Sequence, residues 1–326
     1  MRIKLSDAVV VVTGASSGIG RATVESLVGA GSTVVAVARR DAALQELADG
    51  FDRDTRERIH LEVADVTDAV AVDRISRETV ERFGKVDAWV NNAAVNQYGR
   101  FEEVPFDEWQ RVVETNLFGY ANGVRAVLPW MREQGYGTIV NVGSILSKAP
   151  APLQSAYVAS KYAIRGLTES LRQEIQDAKD IHLSLIMPGP VDTPLFQHAA
   201  NRTGWRIKPP EPTVDAARVA AAVVKNIVRP RREVPVSAST RPLLLFTRLL
   251  PGTTERLAAR PMVASHLTDE AQAPSAGNLF APVPHGTGVS GGWKPSRAGR
   301  PGRTLAVVGG VGAAAATAIL ATRRAA

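Results

Sequence analysis

Two kinds of hydrophobic pattern alternate along the first two thirds of the chain. Short runs rich in Val, Ile and Leu fall at 8–12, 33–38, 59–63, 86–90, 137–142 and 182–186, and each is the length of a buried strand. Between them lie segments with helical spacing of apolar residues, at 21–30, 41–48, 68–83, 109–131, 155–178 and 214–228. Gly31 and Gly84 stand where the first and third of these helices should stop. Strands that are apolar on both faces and alternate with helices predict an α/β fold, a doubly wound parallel sheet of the Rossmann type with helices on both faces.

The ends of those strands carry the distinctive residues. After the first strand the chain reads Thr13-Gly14-Ala15-Ser16-Ser17-Gly18-Ile19-Gly20, and a helix follows. Gly14 suits a tight turn, Gly18 a close approach of backbone to a phosphate, and Gly20 the packing of helix against strand. Amide groups of Ser16, Ser17, Gly18 and Ile19 and the helix dipole would then face an anion. The second strand ends at Arg39-Arg40, where an acidic side chain would favour an unphosphorylated ribose. Two guanidinium groups there match a 2′-phosphate in charge and shape, which points to NADP(H). Asp65 and Val66 follow the third strand, where a carboxylate can accept a hydrogen bond from an adenine amino group or simply cap the next helix. Asn91-Asn92-Ala93-Ala94 follows the fourth, with Asn92 and Ala93 small or amidic enough to let a ribose approach.

Composition changes this picture little. The 326 residues suffice for one large domain and an appendage, and the absence of cysteine excludes disulfides, thiolate zinc sites and cysteine nucleophiles. His182 and His198 have no clustered partners, so no metal site is expected. A net charge of +7 is spread along the chain, which gives no reason to expect nucleic-acid binding. No apolar leader precedes the first strand, and a cytoplasmic location is expected.

Thr-Gly-x-x-x-Gly-x-Gly, an Asp after the third strand and Asn-Asn-Ala-Ala in place of Asn-Asn-Ala-Gly together resemble the short-chain dehydrogenase/reductase family over residues 5–236. Downstream, Tyr157 and Lys161 are four apart, so they share one helix face and the ammonium can lie near the phenol oxygen. Ser144 stands thirteen positions before Tyr157, after the fifth strand, and Asn116 lies on the preceding helix. The resemblance makes Asn116, Ser144, Tyr157 and Lys161 a catalytic tetrad. It implies that Tyr157 transfers a proton, Ser144 holds the substrate oxygen, Lys161 binds nicotinamide ribose and lowers the tyrosine pKa, and Asn116 orders a water relay. It also implies that Pro188, Gly189 and Val191 lie along the nicotinamide, that Thr193 lies near the phosphates, and that the protein is a homo-oligomer acting on a carbonyl or alcohol.

Residues 195–212 should form a lid, and Leu146, Leu153, Leu195, Phe196 and Trp205 suggest a mainly apolar substrate pocket. Beyond the catalytic domain (1–236), residues 237–270 read as an apolar, helical extension, 271–303 as a disordered or extended linker, and 304–326 as an apolar tail. The uncharged stretch 305–321 between arginines admits two readings, a membrane-associated tail and a soluble or partner-binding one. Two functions fit the whole: an NADP(H)-dependent oxidoreductase, and a catalytically silent dinucleotide-binding regulator or scaffold. The intact tetrad favours the enzyme.

Overall fold

A computed structural model describes residues 3–237, 249 and 251–293. The first half runs β1 (Val9–Thr13), α1 (Gly18–Gly29), β2 (Thr33–Ala38), α2 (Asp41–Asp49), α3 (Arg53–Arg56), β3 (Ile59–Val63), α4 (Ala69–Phe83), β4 (Ala88–Asn91) and β5 (Gln97–Tyr98). There follow α5 (Phe106–Val113), α6 (Gly119–Gln134), β6 (Gly137–Val142), α7 (Ser155–Glu174), β7 (Ile181–Met187) and β8 (Val191–Asp192). The chain continues through α8 (Leu195–His198), β9 (Ala200–Asn201), β10 (Trp205–Ile207), β11 (Val214–Asp215), α9 (Ala216–Val228), β12 (Glu233–Pro235), α10 (Pro251–His266) and β13 (Leu267–Ala271).

Seven strands form one parallel sheet in the order β12-β7-β6-β4-β1-β2-β3. All six expected strands are present, and the short β12 adds a seventh at one edge. The order reverses direction between β1 and β4, which opens a crevice at their carboxyl ends. One face of the sheet packs on α1, α2 and α9 through Val10, Val12, Leu27, Leu44, Val219 and Val223; the other packs on α4 and α6 through Val11, Trp89, Ile75, Val127 and Met131. The segment expected as one helix over 109–131 is divided. A π-helical turn at Glu114–Phe118 separates α5 from α6 and carries Asn116, and such turns insert a residue that re-aims the side chains beside it.

The described residues between 3 and 293 fall in one compact unit. α10 and β13 occupy most of the span expected to be a helical extension, and β13 pairs antiparallel with β10 of the expected lid. Residues 272–293, expected as disordered or extended linker, run as turns, bends and irregular backbone and are held against the domain by hydrogen bonds. The stretch 305–321 and residues 238–248 and 250 of the expected extension lie outside the described residues. Among those described, no helix is long and apolar enough to cross a membrane.

Two glycines of α1 give a test of the turn. A Cβ at Gly20 would fall 2.0 Å from the carbonyl oxygen of Gly14, whereas one at exposed Gly29 would meet nothing within 4 Å. Gly29→Ala should raise stability by about 0.5–1 kcal/mol, while Gly20→Ala should lower it by more than about 2 kcal/mol. Urea denaturation of the two variants checks the pair.

Candidate active site

The crevice is built on the joint between β1 and β4. Thr13 donates its hydroxyl to the Val90 carbonyl (3.2 Å) and accepts from the amides of Asn92 (3.0 Å) and Ala93 (3.2 Å). The Asn92 amide donates back to the carbonyls of Thr13 (3.0 Å) and Gly14 (3.3 Å). Gly14 has φ +69°, and a Cβ there would stand 2.7 Å from the Ala93 Cα, so the turn admits no side chain. Asn91 carries the tie onward to β6 by donating its side-chain amide to Asn141 Oδ1 at 2.9 Å.

At the end of β2 the two arginines part. Arg40 points toward the glycine turn and donates to the Ser16 hydroxyl at 3.2 Å. Arg39 instead lies across the groove, 3.7 Å from the Asp65 carboxylate. Asp65 also accepts from Arg111 and from the Thr67 amide and hydroxyl (3.0 and 2.9 Å). Burial opposes its ionisation, but the Thr67 bonds and the two guanidinium groups outweigh that and hold it below the usual carboxylate range. Val66 is buried against Gly119, and its carbonyl accepts from Asn122 at 3.0 Å. Arg111 carried no signal in the sequence, being one more charged residue on an amphipathic helix.

At the other end of the crevice, the expected tetrad is brought together. The carbonyl of Val142, at the end of β6, accepts from both Lys161 Nζ and the Tyr120 hydroxyl, each at 2.9 Å. Lys161 Nζ lies 5.2 Å from the Tyr120 ring centroid and 5.3 Å from that of Tyr157. Ser144 stands near enough to Tyr157 to exert a lowering effect on its pKa, and its hydroxyl accepts from the Leu146 amide at 3.1 Å. Asn116 is wholly buried, with Oδ1 accepting from the Val95 amide (2.9 Å) and Nδ2 donating to the Val95 carbonyl (3.0 Å) and Ser160 Oγ (3.1 Å). It thereby ties the segment after β4 to α7.

The electrostatics differ from the sequence expectation. Burial pushes the Tyr157 phenol up to about 12, against the lowering effect of its bond to Ser144, and pushes Lys161 down to about 7. Desolvation here outweighs any stabilisation of a phenolate by the ammonium. Pro188 accepts from the Ile145 amide (2.8 Å), placing the Pro188-Gly189 turn beside Ser144. Val191 and Thr193 are both buried, and Thr193 faces Gly18, where a Cβ would approach it to 3.1 Å.

Of the expected pocket residues, Leu146 packs with Val95, Val112, Ala156, Tyr157 and Leu279. Leu153 and Phe196 belong instead to a cluster around Tyr98 and Ile207, and Trp205 is half exposed on β10.

Residues 272–293 cross this crevice. Asn278 and Leu279 offer carbonyls to Arg39 (2.5 and 3.1 Å), and Leu279 also to Arg111 (3.1 Å). Val283, His285 and Gly286 offer theirs to Arg40 (3.3, 2.9 and 3.3 Å). Thr287 accepts from Arg21 (2.9 Å) and Gly288 from the Gly18 amide (3.0 Å). Only isolated large apolar residues, Leu279, Phe280 and Trp293, mark this stretch in the sequence as more than linker.

The short chain dehydrogenase family model matches residues 8–203, and the chain belongs to the short-chain dehydrogenase/reductase family. It is similar to the Bacillus subtilis protein YxnA, described as an uncharacterized oxidoreductase, with 33% identity over 331 residues covering 96% of this chain and 91% of that one. That alignment runs well beyond the dehydrogenase domain into the extension. Among solved structures, a short-chain dehydrogenase/reductase from Burkholderia phymatum in complex with NAD has a TM-score of 0.67 and 26% identity, covering 83% of this chain and 100% of that one. An alcohol dehydrogenase from Thermococcus sibiricus complexed with 5-hydroxy-NADP has a TM-score of 0.60 and 27% identity, with coverage of 70% and 94%. The protein is therefore an oxidoreductase of the class that moves hydride between a nicotinamide dinucleotide and a CH–OH or C=O group of a small molecule.

Lys161 gives a stability test independent of turnover. Its folded pKa lies below the ordinary lysine value, so between about pH 7 and 10 the unfolded chain binds more protons and stability rises with pH, by at most about 1.4 kcal/mol per pH unit from this group. Lys161→Met should abolish that increment. The unfolding free energy of the wild type minus that of the variant, measured in urea at pH 7, 8 and 9, should grow with pH.

Proposed function

We propose that the protein is an NADP(H)-dependent carbonyl reductase or alcohol dehydrogenase in which Tyr157 is the general acid and base. The observation that carries this reading is the convergence of Tyr157, Ser144 and Lys161 at the end of β6, in the same crevice as the glycine turn and the Arg40–Ser16 pair. The residues fit the cofactor: Gly14 and Gly20 leave a cradle that a Cβ would fill, Gly18 presents an amide, and Arg40 with the Ser16 hydroxyl makes a donor set suited to a 2′-phosphate. When bound, the dinucleotide supplies or accepts the hydride.

The chain's own residues do the rest. Ser144 positions the substrate oxygen, and Tyr157 gives that oxygen a proton during reduction or removes it during oxidation. A phenol at about 12 is a weak base at neutral pH. Rehydration or a neighbouring positive charge is needed to bring it down. Lys161, anchored on the Val142 carbonyl, stands close enough to contribute that charge once its own burial is relieved. Asn116 acts as a positioning residue through Val95 and Ser160. Asp65, Val66, Asn92 and Ala93 would border the adenosine half of the cofactor, and Pro188, Gly189, Val191 and Thr193 the nicotinamide half. Val95, Leu146 and Ala156 beside Tyr157 favour an apolar carbonyl or alcohol substrate.

Tyr157→Phe should reduce kcat by at least about a thousandfold, with NADPH binding nearly intact. Activity close to wild type would remove Tyr157 from the mechanism. For the cofactor, Arg40→Ala should raise the ratio of KM for NADPH to KM for NADH about 10- to 100-fold, the loss of one charge-assisted phosphate contact. The ratio isolates the 2′-phosphate, because any effect of Arg40 on access to the groove applies to both dinucleotides. An unchanged ratio would assign Arg40 no part in cofactor choice.

A further inference from the structure

The segment 272–293 meets the groove at the points a dinucleotide needs. The Gly18 amide, at the N-terminus of α1, already donates to Gly288, and one N–H cannot serve that carbonyl and a phosphate oxygen at full strength. Arg40 is shared among three carbonyls of the segment as well as Ser16, and Arg39 among two. In each case a neutral carbonyl oxygen sits where the chemistry of the site calls for an anionic one. Deeper in, the Leu279 side chain is wholly buried in the cluster that contains Tyr157, and Tyr157 and Ser144 keep less than a tenth of their surface exposed. The place of a substrate oxygen is thus covered as well.

The ends of the segment are held outside these contacts. On one side Ser275 bridges to Asn201, next to the β10–β13 pair. On the other, buried Asp192 accepts from Ser290 Oγ (2.8 Å) and from the amides of Gly291 and Trp293 (3.0 Å each). The Trp293 indole donates to the Thr193 carbonyl at 3.1 Å and meets Phe196 edge-on.

We propose that residues 272–293 are an intramolecular competitor of the cofactor: this strap and the dinucleotide occupy the groove alternately, and turnover requires the strap to lift. The inference rests on the reading of the groove as a dinucleotide site. A phosphate outbids a carbonyl for the same donors, so cofactor binding itself displaces the strap, and the apparent dissociation constant is the intrinsic one divided by the fraction of open molecules. The strap's neutral backbone makes it a ligand that yields to a charged one. Its effect falls on both dinucleotides, because Gly18, the Leu279 plug and the Asp192 anchor are indifferent to the 2′-phosphate.

The test compares the full chain with Ser290→Ala/Trp293→Ala, which removes two ties at the Asp192 end and touches no group placed in catalysis. Titration followed by nicotinamide fluorescence should show Kd falling about tenfold or more for both NADPH and NADH. An unchanged or raised Kd overturns the strap as competitor, and a raised one makes it a clamp on bound cofactor. Hydrogen exchange on the unaltered protein gives a second reading that does not depend on the variant folding. With saturating NADPH, the amides of Asn278, Gly291 and Trp293 should exchange faster, whereas slowed or unchanged exchange overturns the proposal. No binding of either dinucleotide by either form would overturn the groove assignment together with the strap.

Discussion

The hydrogen bonds that join the ends of β1 and β4 set the geometry on which everything else depends. Thr13 and Asn92 exchange side-chain and backbone bonds across the point where the sheet reverses its winding, and the glycine turn hangs from that joint. Because Gly14 and Gly20 bring backbone against backbone there, the first amides of α1 project into the crevice rather than into the sheet. Arg40 reaches the same place from β2, and β6 delivers Ser144 and the Val142 carbonyl that fixes Lys161. A parallel sheet places all these strand ends along one edge, which is why residues remote in sequence share one site.

That edge is rich in donors. Arg21, Arg39, Arg40 and Arg111 converge on it with the α1 amides; Asp65 pairs with Arg39 and Arg111, Glu25 and Glu46 with Arg21, and Glu114 with Arg111. Buried or half-buried donors require acceptors, and in this form the carbonyls of residues 278–288 supply them. A segment rich in Gly and Pro is suited to this work. With few bulky side chains its backbone can lie close to the guanidinium groups, and proline removes amides that would otherwise compete as donors. At the other end of the crevice Leu279 packs in the cluster of Tyr157, and burial raises the Tyr157 phenol and depresses the Lys161 ammonium.

Much of this was legible in the sequence. The strand and helix periods, the glycine turn, the absence of an acidic residue at the end of β2 and the four-residue spacing of Tyr157 and Lys161 are local features. Each acts through backbone geometry that a few neighbouring residues determine, so each could be read before any contact was known. The seventh strand was missed because β12 is three residues long and contains a proline, so it makes no periodic signal. The π-helical turn at Asn116 was missed for a related reason: the residues around it suit an α-helix, and the contact that Asn116 makes there is with Val95, distant in sequence.

What only the tertiary structure decided concerns pairs far apart along the chain. Arg39 and Arg40 are adjacent in sequence and identical in type, yet one turns to Asp65 and the other to Ser16. Composition assigned 271–303 to a linker, because Pro, Gly and Ser bury little apolar surface of their own. The stretch 272–293 is nonetheless ordered by acceptor carbonyls meeting donors more than 150 residues away, at Arg39, Arg40 and Arg111. Side-chain pattern determines local structure and thus shows in the sequence. Backbone carbonyls are the same in every residue, so where they find their partners is settled only when the chain is folded.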